Sequence, residues 1–212
     1  QNYDCFEWIR AKYPGCRFVF LTLTVRNVPI ESLASRLVDM SAAWNRFTQR
    51  RDFKALGLLG WLRVLEVTRN AYTGTYHPHF HIVLVVPAGC WLPDHSWWLR
   101  CWQLAARDES IMFVNLRVLD GSKSSIKEVS KYVVKDSDFA GSAWVSEFPK
   151  LYKALAHVRC FSPAGCWRDS RRALGFVDPD ADTLTDDVSI GGEIKDFVYL
   201  YNFRMFACVG FH

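Results

Sequence analysis

Tyr76-His77-Pro78-His79-Phe80-His81, running on into Ile82-Val83-Leu84-Val85-Val86, is the stretch that decides how this 212-residue chain folds. The apolar run predicts a buried strand over residues 79–86. Side chains alternate along a strand, so His79 and His81 share one face and Phe80 points to the other. Two imidazoles converging on one face of a rigid element make half of a metal site. The alternative is a pair of core histidines satisfied by backbone partners. His77, just upstream, either supports such a site or shapes its entry.

Working outward, residues 59–68 predict a second strand, joined to the first across Asn70-Ala71-Tyr72-Thr73-Gly74-Thr75, a hairpin-like loop of turn residues. Residues 17–25 predict a central strand. Pro29-Ile30-Glu31-Ser32 opens a long helix reaching about Arg51, with Leu33, Leu37, Met40 and Trp44 on its core side. Asp94 caps a further helix carrying Trp97, Trp98, Leu99, Trp102 and Leu104, whose tryptophans are read as packing rather than base-stacking groups. Residues 113–119 predict another strand, residues 143–158 one or two helices, and residues 196–211 terminal strands. This succession predicts an α+β fold with an antiparallel central sheet flanked by helices. A single domain over residues 1–212 is expected, with a core at about 17–136 and a C-terminal extension at about 137–212.

A second motif follows in Ser124-Ser125-Ile126-Lys127-Glu128-Val129-Ser130-Lys131-Tyr132-Val133-Val134-Lys135. Serine capping and apolar Ile126, Val129 and Val133 predict a helix. Glu128, Tyr132 and Lys135 then stand at i, i+4 and i+7 on one face. A tyrosine flanked by a carboxylate and lysines can attack a phosphodiester; a solvated face of an ordinary amphipathic helix has the same composition.

Half the residues are hydrophobic and 15% are aromatic, which excludes a disordered chain. No apolar run is long enough to cross a membrane and no signal peptide is visible. The chain opens at Gln1 without an initiator methionine, so an excised fragment with a missing upstream segment is expected. Seven irregularly spaced cysteines fit free thiols in a reducing cytoplasm, and the spacing of His157, Cys160 and Cys166 matches no standard zinc pattern. The net charge of +4 is modest but uneven. A basic front half containing Arg46, Arg50, Arg51, Lys54, Arg63 and Arg69 is a candidate phosphate track, or a set of solvated helix faces.

Taken in order, Phe20-Leu21-Thr22-Leu23-Thr24-Val25, Leu65-Glu66-Val67-Thr68, His77-Pro78-His79-Phe80-His81 and Glu128 to Lys135 resemble the rolling-circle replication initiators of small bacterial plasmids, members of the HUH endonucleases. Trp98-Leu99-Arg100-Cys101-Trp102 and the segment from Arg159 to Trp167 extend the likeness over most of the chain. The resemblance implies an RNA-recognition-like sheet topology and a metal-dependent nickase acting on single-stranded or hairpin origin DNA. Its implied nucleophile is Tyr132, leaving a 5′-phosphotyrosine and a free 3′-hydroxyl for a host polymerase, with a host helicase as a further partner. Glu128 is implied to activate water at termination, its alternative being a surface pair with Lys131. Lys135 is a candidate for easing ionisation of Tyr132, whose free pKa is about 10. His79 and His81 are the expected metal ligands. Glu66 is the expected third, because it lies on the neighbouring strand and carries the charge a hard ion prefers; its alternative is a salt bridge to Arg63 or Arg69. Imidazole plus carboxylate suits Mn or Mg, Mn being the more compatible with two nitrogens. Runner-up readings are a single-tyrosine HUH transposase or relaxase, and a non-catalytic single-strand-binding module in which exposed aromatics such as Tyr72 or Tyr76 stack bases.

Overall fold

The computed structural model describes residues 1–119, 142–156 and 158–176. Its centre is a five-stranded sheet with every neighbouring pair antiparallel: β1 (Arg17–Thr24), β2 (Gly60–Arg69), β3 (Tyr76–Val86), β4 (Val114–Val118) and β5 (Phe161–Gly165), in the order β4-β1-β3-β2-β5. The helices are α1 (Asn2–Lys12), α2 (Leu33–Gln49), the single turn α3 (Arg51–Lys54), α4 (His95–Ala106), α5 (Ser142–Leu155) and α6 (Cys166–Ala173). The α+β class with an antiparallel sheet flanked by helices is the observed one.

Alternation along the strands divides the core in two. Val19, Leu21, Leu23, Leu65, Phe80, Ile82 and Leu84 face α2, α4 and α5, where Trp44, Phe47, Trp98 and Trp102 are buried with them. Burial of Trp98 and Trp102 agrees with reading those tryptophans as packing. On the opposite face, Phe18, Phe20, Leu62, Val64, Val83 and Val85 pack with Cys5, Phe6 and Ile9 of α1 and Trp167 of α6. The rings of Phe6 and Phe18 lie 4.0 Å apart.

Several boundaries differ from the sequence reading, each for a local reason. The long helix begins as a 3₁₀ turn at Ile30–Ser32 and ends at Gln49, where Arg50 adopts an extended ψ of 141° before α3. Strand β3 starts at Tyr76 rather than at residue 79, since β2 pairs with it through Arg69↔Tyr76 and tolerates Pro78 opposite Val67. Asp94 caps α4 as expected, its Oδ1 accepting from the Trp97 backbone N–H at 3.0 Å. Helix α1 and strand β5 had no counterpart in the sequence reading. The mean pattern of α1 is weakly amphipathic, and Pro163 with two flanking small residues hides a short edge strand.

The β2–β5 contact depends on two glycines. Gly60 pairs with Gly165, and a Cβ at Gly165 would meet the Leu59 carbonyl oxygen at 2.3 Å. Gly165 also has a φ of +55°, a conformation that side chains with a Cβ rarely adopt. Gly165→Ala is therefore expected to destabilise the fold by about 1–3 kcal/mol, read as a lower urea midpoint. A wild-type midpoint would show that β5 does not hold this edge.

The tip of the β2–β3 hairpin is tied to α5 from the other side. Arg69 Nε and Tyr76 Oη both donate to Glu147 Oε2, at 2.9 and 2.8 Å. Burial pushes the Glu147 carboxyl up, but the bonds from Arg69 and Tyr76 outweigh it and hold it below its ordinary 4.5. A depressed carboxylate stabilises the fold above its unfolded value and loses that contribution as pH falls through the folded one. Glu147→Gln should thus cost about 1–3 kcal/mol at pH 7, with the gap from wild type narrowing below pH about 4.5. A pH-independent difference in urea unfolding would contradict this ion-pair role.

Candidate metal centre on the two-histidine hairpin

The β2–β3 register sets Glu66 directly opposite His79 and Val64 opposite His81. Directly opposed residues share a face, so Glu66, His79 and His81 converge. Glu66 Oε2 lies 2.7 Å from His79 Nε2 and 2.5 Å from His81 Nε2. Glu66, His79 and His81 are the three-residue metal-capable cluster among the described residues, with all three ligand atoms within 4.8 Å of one another. The Glu66 side chain is only 3% exposed, against 11% and 13% for the two histidines.

A carboxylate so deeply buried needs a strong reason to stay charged. Burial raises its pKa, yet the hydrogen bonds and charges of His79 and His81 prevail and hold it well below the usual carboxylate range. Glu66 is therefore anionic at neutral pH, the state a metal ligand requires. Two imidazole nitrogens and one anionic oxygen on adjacent, rigid strands fit a divalent ion. The salt-bridge alternative for Glu66 gives way to strand alternation. Arg63 and Arg69 are odd-numbered on β2 and project to the other face, where Arg63 sits 4.4 Å over the Phe80 ring and Arg69 pairs with Glu147.

The surroundings orient both imidazoles. His79 Nδ1 lies 3.2 Å from the His77 carbonyl oxygen, so the ring donates there and aims Nε2 at Glu66. Thr22 Oγ1 is 3.3 Å from His81 Nδ1. Phe20 stacks on His81 with ring centroids 5.1 Å apart and planes 18° off parallel. Burial, with His79 alongside, holds the His77 imidazole below its ordinary 6.5. His77 thus acts on the cluster through its carbonyl, while its ring stands 5.3 Å from that of His79. Thr22 and Phe20 were not singled out as site residues from sequence. Their signal was a threonine recurring with period 2 on a central strand, on the same face as the histidines.

Part of the basic front half is engaged within the fold, while Arg51 and Lys54 are exposed. Arg46 donates to the Ala105 carbonyl, Arg50 pairs with Asp52 at 2.7 Å, and Arg63 is 4% exposed. Tyr76, suggested as a base-stacking group, is 1% exposed and bonded to Glu147, whereas Tyr72 at the hairpin tip is fully exposed. Burial removes Tyr76 from that role. Cys160 and Cys166 pack on opposite faces of the sheet, which removes them from a shared zinc site. The six cysteines among the described residues are free. Among those residues no helix is long and apolar enough to cross a membrane. Glu128, Tyr132, Lys135 and His157 lie outside the described residues.

With this geometry in view, the comparison with known proteins is direct. The family model described as "Replication protein" matches residues 1–205. The chain belongs to this replication-protein family. A Protein rep from Bacillus amyloliquefaciens is 30% identical over 216 residues, covering 87% of this chain and 63% of the relative. A Protein rep from Streptococcus pneumoniae is 31% identical over 173 residues, covering 76% of this chain and 53% of the relative. A Replication protein from Staphylococcus aureus is 29% identical over 199 residues, covering 85% and 84%. The chain thus spans between about half and two thirds of the first two relatives' length. No solved structure matches it. The likeness read from the sequence motifs and the family membership agree.

Proposed function

We propose that this replication-family chain is a plasmid rolling-circle initiator that nicks single-stranded or hairpin origin DNA through Tyr132. The observation that carries the reading is the Glu66–His79–His81 cluster, whose donor set suits a divalent ion, on a chain of a replication-protein family. A bound Mn or Mg ion would polarise the scissile phosphate. Glu66, His79 and His81 would hold it, the hydrogen bonds at both Nδ1 atoms fixing the rings. Tyr132 and Glu128 enter from their sequence motif alone.

In this reading the Tyr132 oxygen attacks phosphorus, the bond to the 3′-oxygen breaks, and the phenolic proton is given up. A 5′-phosphotyrosine link and a free 3′-hydroxyl result. Lys135, three residues along the sequence, favours the phenolate. The link preserves the phosphodiester, so rejoining needs no nucleoside triphosphate. At termination Glu128 takes a proton from water, which replaces a second tyrosine. Host polymerase would extend the 3′-hydroxyl, with a helicase opening the duplex.

The test is incubation of the chain with a labelled single-stranded origin library and manganese, followed by denaturing gels and mapping of the cut. A covalent adduct at one site, abolished by EDTA, is the expected result. Binding with no cleavage under any divalent ion would leave only the non-catalytic single-strand-binding reading.

A further inference from the structure

We infer that Thr22 is a positioning residue for His81, its hydroxyl fixing which ring nitrogen faces the metal-ligand cluster. The inference rests on the metal reading of Glu66, His79 and His81 given above. Thr22 is the direct cross-strand partner of His81 in the β1–β3 register, so their side chains share a face. Thr22 Oγ1 stands 3.3 Å from Nδ1, and Nε2 on the far side of the ring reaches Glu66 at 2.5 Å. A ring rotated by half a turn about its Cβ–Cγ bond would lose both contacts.

Phe20 completes the mounting. It precedes Thr22 by two residues, shares its face, and lies nearly parallel to the imidazole. The guanidinium of Arg117 on β4 also lies over the Phe20 ring, 5.2 Å from its centroid. The plane of His81 is therefore set by Phe20, and Thr22 opposes a half-turn about its Cβ–Cγ bond.

The two histidines are mounted differently, and the difference has a chemical meaning. His79 meets a carbonyl, which only accepts, so its Nδ1 carries hydrogen and Nε2 is the nitrogen offered to a metal. His81 meets a hydroxyl, which donates or accepts. The Thr22 oxygen can accept from Nδ1–H when the Nε2 lone pair faces an ion, and can donate to Nδ1 when Nε2–H faces Glu66. Thr22 thus keeps His81 in one orientation in both the metal-free and metal-loaded protein.

The test measures metal binding rather than cleavage. Manganese is titrated into the 212-residue chain while free Mn²⁺ is followed by electron paramagnetic resonance. Thr22→Val, which removes the hydroxyl at nearly constant shape, should weaken binding about 10–100-fold. Thr22→Ser should restore it to near the wild-type value, and both variants should melt like wild type in EDTA. Wild-type Mn²⁺ affinity in Thr22→Val would overturn the inference. His79→Ala separates the layers: if it too binds like wild type, the metal reading itself has failed. Should Thr22→Val not fold, long-range ¹H–¹⁵N spectra of the wild-type chain loaded with Zn²⁺ decide the matter. Ligation of His81 through Nε2 with hydrogen on Nδ1 supports the inference; ligation through Nδ1 overturns it.

Discussion

Tyr132→Phe is expected to abolish the covalent protein–DNA adduct while single-strand binding and metal loading persist. The substitution removes only an oxygen, so any loss of packing is small, yet that oxygen is the proposed nucleophile. Glu128→Ala should behave differently although Glu128 lies only four residues from Tyr132 in the sequence. It leaves the nucleophile in place, so first cleavage and adduct formation continue. Water-mediated cleavage at termination should fall by about 10²–10⁴-fold, the usual contribution of a positioned general base. A denaturing gel following both the adduct and the released DNA end separates the two. If Glu128→Ala blocks the initial adduct as fully as Tyr132→Phe, Glu128 does not act on water at termination.

The second large effect belongs to the hairpin. His79→Ala or His81→Ala should remove metal-dependent nicking and detectable Mn²⁺ binding together. The local physics makes the two histidines more than ligands: they are the groups that keep the buried Glu66 carboxylate ionised. Losing one leaves that carboxylate short of a hydrogen-bond donor at 3% exposure, a cost of about 1–3 kcal/mol in stability. Glu66→Gln removes the charge but keeps the shape, and should bind no metal while melting closer to wild type than His79→Ala. Isothermal titration with Mn²⁺ and thermal melts in EDTA read both quantities. Cleavage at the wild-type rate by His79→Ala with metal present would remove the cluster from catalysis.

How much of this was legible beforehand follows from the range of each interaction. Period-2 alternation is local, so the shared face of His79 and His81 could be read from five residues. Glu66 was one short loop away, and the turn residues at 70–75 marked a hairpin that put it on the neighbouring strand. The helix pattern of Leu33, Leu37, Met40 and Trp44 was equally local, and all four are buried. Strand β5 was not legible: it is five residues long, contains Pro163, and exists because β2 offers it an edge. Helix α1 likewise gains its reason from Phe18 and its neighbours on the sheet.

The charged residues divide in the same way. Composition marked the front half as basic, but which arginines are free for DNA depends on partners distant in the chain. Arg69 is occupied by Glu147, 78 positions away, and Arg63 by the Arg159 carbonyl, 96 positions away. Tyr76 is buried for the same reason, through Glu147. Sequence by itself determined the replication-family motifs, the sheet-and-helix class and the three candidate ligands, because motif order and strand periodicity are properties of neighbours along the chain. The tertiary structure alone decided that Glu66 and both histidines meet at one oxygen, and that Thr22 and Phe20 hold His81. It alone decided, too, that the arginines of β2 turn away from the cluster. Those outcomes depend on strand order and register, and no local pattern encodes which strand lies next to which.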